Sequence, residues 1–206
     1  MDINIQKNKK KFEKWCKSYI VSEENTKNLD KFLKFLDESD FYTAPASSKF
    51  HLNCKGGLCQ HTINVIKRMF EEGNSYYEEN ETKKLDVKEK MFLVAALHDL
   101  CKVNYYREIT TENNETKKYV VDSKLPLGHG EKSLYIAQHY FSLSDEQAIA
   151  IRWHMGFSDQ SVKGGSFEIG TAYSMYPLAV LLNIADTKAT FFDESSIGGN
   201  KFDNKN

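Results

Sequence analysis

Two neighbouring residues, His98 and Asp99, stand at the end of an otherwise apolar run that begins at Met91. Such a run is typical of a buried element. A carboxylate buried with it is costly in free energy unless a positive charge lies beside it. A bound metal ion would supply that charge, so the pair predicts a metal site inside the protein.

The rest of the chain supplies further side chains of the kind that bind metals. They are widely separated, and together they give the order H…HD…H…H…D: His61, His98, Asp99, His129, His154 and Asp186. Imidazole nitrogens combined with carboxylate oxygens favour Mn, Fe, Co, Ni or Zn over Ca or Mg. The predicted cofactor is therefore one or two divalent transition-metal ions.

This ordered set resembles the HD-domain superfamily of metal-dependent phosphohydrolases, over about residues 46–194. The segment His-Asp-Leu-Cys-Lys that ends at Lys102 is similar to the HD-x-x-K signature, with Cys101 where Gly is usual. The stretch from Ala44 to His61 resembles the HD domain of some bacterial 3′-to-5′ exoribonucleases. Stand-alone HD proteins of Gram-positive bacteria and their phages look closer still, through Gly-His-Gly-Glu-Lys-Ser and Arg-Trp-His-Met-Gly.

The resemblance implies an all-α fold, an HD-domain or phosphodiesterase-like helical bundle. It also implies one ion held by four residues, namely His61, His98, Asp99 and Asp186. A second ion would be held by His129 and His154, with Asp99 bridging the two. Asp99 and Lys102 would be the catalytic residues, the lysine because its ammonium, one turn after Asp99, could reach a metal-bound phosphate.

The function implied is hydrolysis of a phosphoester in a nucleotide or an oligonucleotide end. Two ions about 3.5–4 Å apart turn water into hydroxide near neutral pH and clamp the phosphate for in-line attack, so no protein nucleophile is needed. Further substrate contacts are expected from positive, aromatic or imidazole side chains: Lys102, Lys132, Arg152, Lys188, Trp153, Tyr105, Phe157 and His51. His139 is expected to be an ordinary helix residue.

Two other functions stay open. Some proteins that resemble this domain hold a di-iron pair and cleave substrates with oxygen, and the same six ligands would serve that chemistry. HD-like domains can also act as non-catalytic modules that bind a nucleotide and regulate a partner. Degenerate ligands would mark that third case, and none is missing here.

Composition and charge narrow the class of partner. The 206 residues fit one domain, and 28 basic against 29 acidic residues leave a net charge of −1. This balance disfavours strong binding of duplex nucleic acid and favours a small nucleotide or a short single strand. The polar N-terminus has no signal-peptide core and no window is apolar enough for a membrane span, which predicts a cytoplasmic protein.

The four cysteines are then expected to be reduced. Their spacing matches no paired C-x-x-C pattern, which argues against structural zinc. Cys101 is expected to be a small buried residue rather than a reactive thiol.

Helical spacing predicts the elements that must position these residues. Two N-terminal helices are expected within residues 1–40, followed by a metal-site core over 46–194 and a flexible tail over 195–206. The His61 helix is expected over about 58–72, stopped by Gly73. The next helix is expected to start at a capping box of Asp86 and Glu89 and to run to Lys102.

Beyond Lys102 the spacing of the apolar residues is no longer helical. Residues 104–122 favour a small β-hairpin that turns at Asn113 and Asn114, with an irregular surface loop as the alternative. Either would be placed to act as a lid or a specificity wall. One helix is expected to start near His129. A second is expected over about 145–155, with Ser144 as its N-cap, and a third is expected to start at Pro177. A Gly- and Ser-rich loop is expected over 157–170.

Overall fold

The computed structural model describes residues 3–110 and 117–194 of the chain. Within them the fold is all-α with one small β-hairpin, as the sequence predicts. The α-helices are α1 Ile5–Tyr19, α2 Glu23–Thr26, α3 Leu29–Glu38, α4 Gly57–Tyr76, α5 Glu79–Thr82, α6 Leu85–Leu97, α7 His129–Ala137, α8 Asp145–Trp153, α9 Gln160–Lys163, α10 Glu168–Met175 and α11 Pro177–Lys188. Short turns of 3₁₀ helix cover Leu100–Lys102 and Gly156–Ser158, and one turn of π-helix covers Ala189–Asp193.

Helices α4, α6, α8 and α11 form the centre of the molecule. Helix α4 packs against both α6 and α11, and α8 packs against α6, α7 and α11. Every residue of α6 from Met91 to Leu97 is buried, which explains why its sequence is a continuous apolar run rather than an amphipathic pattern. The polar pair that follows this run is therefore carried into the interior.

The N-terminal helices α1 and α3 close one side of this centre, and the prediction of two amphipathic helices is confirmed. Asn4 caps α1 by accepting a hydrogen bond from the backbone N–H of Lys7 at 2.9 Å. The ring of Phe12 packs against Phe41 and Phe92, with ring centroids 5.1 and 6.4 Å apart. This aromatic contact joins the N-terminal helices to α6.

Two of the predicted helix ends, those of α4 and α6, differ from the structure. Gly73 does not stop α4, which continues to Tyr76. Its missing side chain instead permits a close approach of α6, since a Cβ there would lie 2.1 Å from the sulfur of Met91. Helix α6 ends at Leu97 rather than Lys102, so His98 and Asp99 lie between α6 and a separate 3₁₀ turn.

The capping box predicted at Asp86 and Glu89 is also wrong. Lys84 is the N-cap of α6 and forms no side-chain cap. Glu89 is buried, and its carboxylate accepts hydrogen bonds from the backbone and hydroxyl of Ser22 and from Asn25, at 2.7–3.1 Å. The acid that looked like a local cap therefore ties α6 to the N-terminal segment around α2.

The predicted hairpin is confirmed. Strands β1 (Tyr106–Thr110) and β2 (Lys117–Val121) are antiparallel, with Tyr106 opposite Val121. The expected turn at Asn113 and Asn114 lies outside the described residues, as does the tail predicted over 195–206. No helix among the described residues is long and apolar enough to cross a membrane.

The last part of the described chain follows the prediction in outline. Ser144 and Gln147 form the predicted capping box of α8, and Pro177 begins α11. Helix α8 ends at Trp153, so His154 is its C-cap residue. The segment predicted as a loop over 157–170 is wrong in part, because it contains α9 and the start of α10.

Candidate metal centre

Asp99 lies at the centre of the six residues that the sequence singles out, and its two oxygens face different histidines. Oδ2 lies 3.5 Å from Nε2 of His61 and 3.5 Å from Nε2 of His98. Oδ1 lies 2.8 Å from Nε2 of His129 and 3.9 Å from Nε2 of His154. The carboxylate therefore separates two neighbouring groups of donor atoms.

Asp186 completes the first of these groups. It lies on α11 one and two turns beyond the buried Leu182 and Leu178, and its Oδ1 is 3.2 Å from Nε2 of His61. Its side chain keeps 20% of its surface exposed, so it stands where the core meets a cavity. The structure thus brings all six predicted ligands together from five separate segments of the chain.

Backbone carbonyls orient two of the histidine rings. Nδ1 of His98 lies 2.8 Å from the carbonyl oxygen of Ala95, and Nδ1 of His154 lies 2.7 Å from that of Ile151. A carbonyl oxygen only accepts, so each Nδ1 donates its hydrogen and each Nε2 presents a lone pair to the centre. This is the orientation in which a histidine binds a metal through Nε2.

A buried carboxylate that the sequence analysis missed orients the third ring. Both oxygens of Glu194 lie 3.1 Å from Nδ1 of His61, and Asn64 donates a hydrogen bond to the same carboxylate at 2.9 Å. Glu194 is fully buried. No motif in the sequence marks it.

Two close backbone contacts hold α7 and α8 in place. A Cβ at Gly130 would lie only 2.0 Å from the carbonyl oxygen of Arg152, so only glycine lets the start of α7 approach the end of α8. On the far side, Asn183 of α11 donates a hydrogen bond to the carbonyl oxygen of His154 at 2.7 Å. His129 and His154 are positioned by these contacts.

The electrostatics of the site suit a cation. Burial lowers the pKa of His61, but Glu194 and Asp186 outweigh burial and raise that pKa to about 10. Burial likewise lowers the pKa of His129, and its neighbours Cys101 and Asp99 raise it to about 10. The acidic side chains around these two rings therefore favour positive charge at this place in the core.

Asp99 keeps its charge despite complete burial. Burial raises its pKa, but Lys102 and His98 hold the pKa well below its ordinary value. Nζ of Lys102 lies 2.6 Å from Oδ2 of Asp99. His154 shows the opposite effect, because burial and the adjacent histidines lower its pKa to about 3.

A cavity of about 380 Å³ opens onto this centre. His61, Asp99, His129 and Asp186 line it together with Lys102, whereas His98 and His154 are fully buried behind them. This volume is typical of a small-molecule site. The cavity is therefore the access route to Asp99.

Exposed aromatic rings that no sequence pattern predicted lie at the cavity. Phe50 and Phe191 line it with 73% and 67% of their surfaces exposed, and Tyr106 of β1 forms part of its wall. Tyr106 fits the prediction that the hairpin borders the site. Phe50 lies in the loop between α3 and α4, and Phe191 lies in the π-helical turn after α11, so helical or strand periodicity gave no signal for either.

Of the predicted substrate contacts, His51 and Lys102 line the cavity. The His51 ring lies 4.9 Å from the His61 ring, and burial, together with His61, lowers the pKa of His51 to about 4. His139 lies past the end of α7, exposed, with Nδ1 2.8 Å from the carbonyl oxygen of Tyr135, away from the site.

The other predicted contacts do not line the cavity. Arg152 forms ion pairs with Glu131 and Asp159 at 2.6 and 3.1 Å and stacks on the ring of Trp153. Nζ of Lys132 lies 4.6 Å from the ring centroid of Tyr105, at a different cleft. The charges of these two side chains are thus used in contacts elsewhere in the fold.

The remaining two candidates are also placed outside the cavity. Lys188 pairs with Glu72 at 2.7 Å, and the exposed ring of Phe157 packs edge-on against Tyr173 with centroids 6.2 Å apart.

Three groups of described residues bring metal-ligand atoms within 4.8 Å of one another: His61, His98 and Asp186; Asp99, Cys101 and His129; and His51, His61 and Glu194. Buried groups of this composition could bind a metal ion.

The chain has no significant match among protein-family models, curated proteins or solved structures. The function is therefore inferred from the geometry of these side chains.

Proposed function

We propose that this protein is a metal-dependent phosphohydrolase of the HD type, acting on a phosphoester of a nucleotide or of an oligonucleotide end. One observation carries the proposal: the two oxygens of Asp99 each face a separate pair of imidazole nitrogens. A carboxylate shared in this way is suited to bridge two ions.

The donor atoms fit such a pair. The first ion would be held by Nε2 of His61 and His98 and by an oxygen each from Asp186 and Asp99. The second would be held by the other oxygen of Asp99 and by Nε2 of His129 and His154. Mixed nitrogen and oxygen donors suit Mn, Fe, Co, Ni or Zn.

His154 gives an independent sign that a ligand belongs here. Its Nε2 is buried and has no hydrogen-bond partner among the described residues. A buried polar atom without a partner is uncommon, because its desolvation is then uncompensated. A metal ion at the second position would satisfy it.

When bound, a pair of such ions supplies hydroxide near neutral pH and neutralises charge on the phosphoryl oxygens. Lys102 contributes from the protein side. Its ammonium lies at the cavity wall, 2.6 Å from Oδ2 of Asp99, where it holds a phosphoryl oxygen close to that carboxylate and stabilises the charge that develops on it.

The cavity favours a nucleotide over a bare phosphate. Phe50 and Phe191 present exposed rings at the cavity, and an aromatic ring binds any nucleobase by stacking. The volume of about 380 Å³ fits one nucleotide or the end of a single strand. The net charge of −1 agrees with a short substrate rather than a duplex.

The proposal is tested by screening nucleoside monophosphates, bis-p-nitrophenyl phosphate and short single strands, with and without Mn²⁺. We expect metal-dependent release of orthophosphate or of a nucleoside monophosphate, and we expect Asp99→Asn to abolish it. Asp30→Asn, at an exposed position on α3, is the matched control and should keep full activity.

Three outcomes would contradict the proposal. Turnover that survives in Asp99→Asn would remove Asp99 from the reaction. Oxygen consumption with a phosphonate or polyol substrate, without phosphoester turnover, would favour the di-iron alternative. Tight nucleotide binding by the metal-loaded protein without turnover would favour the regulatory module.

A further inference from the structure

The thiol of Cys101 lies inside the candidate metal centre. Cys101 is on the 3₁₀ turn that follows Asp99, with 4% of its surface exposed. Its Sγ is 3.3 Å from Nε2 of His129 and 3.9 Å from Oδ1 of Asp99. Its backbone N–H donates to the hydroxyl of Ser133 at 3.1 Å, which holds the turn against α7.

The other buried thiols have apolar surroundings, as expected of cysteines that only fill space in the core. Cys16 and Cys59 belong to the apolar core, and burial raises the pKa of both, that of Cys59 to about 12. Cys101 instead faces a carboxylate and an imidazole. A thiol that only filled space would not need these polar neighbours.

His154 points into the same space. Its fully buried, unpartnered Nε2 lies 3.9 Å from Oδ1 of Asp99, the oxygen that also faces Cys101 and His129. Sγ of Cys101, a carboxylate oxygen of Asp99 and a ring nitrogen of His129 lie within 4.8 Å of one another, and Nε2 of His154 approaches Asp99 from the same side. This arrangement does not depend on the His61 and His98 side of the centre.

The spacing of these atoms fits four-coordinate binding. Zinc lies about 2.3 Å from a sulfur ligand and about 2.0–2.1 Å from nitrogen or oxygen, so tetrahedral donors lie roughly 3.3–3.6 Å apart. Among Asp99, His129 and Cys101 the donor separations are 2.8, 3.3 and 3.9 Å, and His154 lies 3.9 Å from the shared oxygen of Asp99. They bracket the tetrahedral value.

We propose that Cys101 is a metal ligand, and that Asp99, His129, His154 and Cys101 together form a thiolate-containing site for the second ion. This inference rests on the proposed metal centre and adds the class of ion. The first position offers only nitrogen and oxygen, whereas sulfur makes the second position selective for thiophilic ions such as Zn²⁺, Co²⁺, Fe²⁺ or Cd²⁺. On binding, the S–H bond breaks, the sulfur–metal bond forms and the proton leaves to solvent.

Cobalt tests this directly, because a thiolate bound to Co²⁺ gives a near-ultraviolet charge-transfer band that nitrogen and oxygen ligands do not give. The full-length protein, freed of metal, is titrated with Co²⁺ and its absorption recorded. We expect the band in the wild type and its loss in Cys101→Ser. Cys54→Ser, which changes a half-buried loop thiol outside the centre, should keep the band.

The outcomes separate the inference from the proposed function. Visible Co²⁺ absorption in the wild type without the charge-transfer band would overturn thiolate ligation and leave the metal centre standing. A band that survives in Cys101→Ser would also overturn it. Absence of any Co²⁺ binding would overturn the metal centre itself, while residual visible absorption in Cys101→Ser shows that the first position still forms and that the variant is folded.

Discussion

Nε2 of His61 lies 3.3 Å from Nε2 of His98, although the two rings come from different helical segments 37 residues apart. The Nδ1 of His98 donates to a carbonyl oxygen, and the Nδ1 of His61 faces the carboxylate of Glu194. The fold thereby turns two lone pairs towards one another. That arrangement is favourable only when a cation or a proton lies between them.

Glu194→Gln is expected to weaken metal binding at the first position by about 10–100-fold, because the amide is a poorer partner for the ring of His61. Isothermal titration with Mn²⁺ or Zn²⁺ measures this. The neighbouring Asp193→Asn is the control, since Asp193 pairs with Arg68 and contacts no histidine of the centre. Equal affinity in Glu194→Gln and the control would show that Glu194 does not support the ligand.

Lys102→Met is expected to lower kcat/KM by on the order of 100-fold with both ions retained, because a charge at the phosphoryl oxygens is lost. Steady-state kinetics and elemental analysis of the same samples measure both quantities. Lys90→Met, on the outer side of α6 where the ammonium pairs with Glu146, should behave as the wild type. If Lys102→Met turned over normally, phosphate stabilisation by this lysine would be rejected.

Gly130→Ala is expected to reduce the free energy of unfolding by about 1–3 kcal/mol, because the new Cβ overlaps the carbonyl oxygen of Arg152 and pushes α7 from α8. Urea unfolding measures the change. In the control Gly170→Ala the added Cβ meets nothing within 4 Å on helix α10, so stability should be unchanged or rise. Equal stability of the two variants would contradict the close approach.

The ion pair of Asp159 with Arg152 should make stability depend on pH. Burial raises the pKa of Asp159, but hydrogen bonds from Ser161 and Arg152 outweigh burial and lower it below the ordinary value. The folded-state pKa is depressed, so the contribution is present above the unfolded pKa of about 3.9 and is lost as the pH falls below it.

We therefore expect metal-free Asp159→Asn to unfold with about 1–3 kcal/mol less free energy than the wild type at neutral pH, and the difference to shrink towards about pH 2. Urea unfolding of both proteins across this range measures it. A difference that stays constant from neutral to acid pH would mean that the carboxylate charge plays no part.

The sequence predicted the elements well where the signal is local. Ser144 and Gln147 form their capping box within one turn, and the hairpin has β-type periodicity on both sides of its turn. The predictions at Gly73 and Glu89 were wrong, because both residues make contacts between helices rather than within one. In the sequence, Gly73 resembles a helix stop, but in the structure it makes room for Met91. Glu89 resembles part of a helix cap, but its carboxylate binds Ser22.

The residues of the candidate site likewise fall into those that the sequence predicts and those that it does not. Asp99 and Asp186 stand out because a carboxylate on a core-facing stretch is unusual, and the histidines stand out because they complete the order H…HD…H…H…D. Glu194, Phe50 and Phe191 have no such context, since their roles depend only on which segments meet in three dimensions. From the sequence, Arg152 and Lys132 resemble phosphate ligands. In the structure, Arg152 forms ion pairs with Glu131 and Asp159, and the ammonium of Lys132 lies over the ring of Tyr105.

The claim that Asp99 joins two metal positions is tested most directly by the metal content per chain. Metal-free protein is reloaded with Zn²⁺ or Mn²⁺, passed through a desalting column and measured by elemental analysis, for the wild type, His98→Ala and His154→Ala. We predict two ions per chain in the wild type and the loss of one in each variant. A wild-type protein that retains no metal, or equal content in all three proteins, would contradict the account.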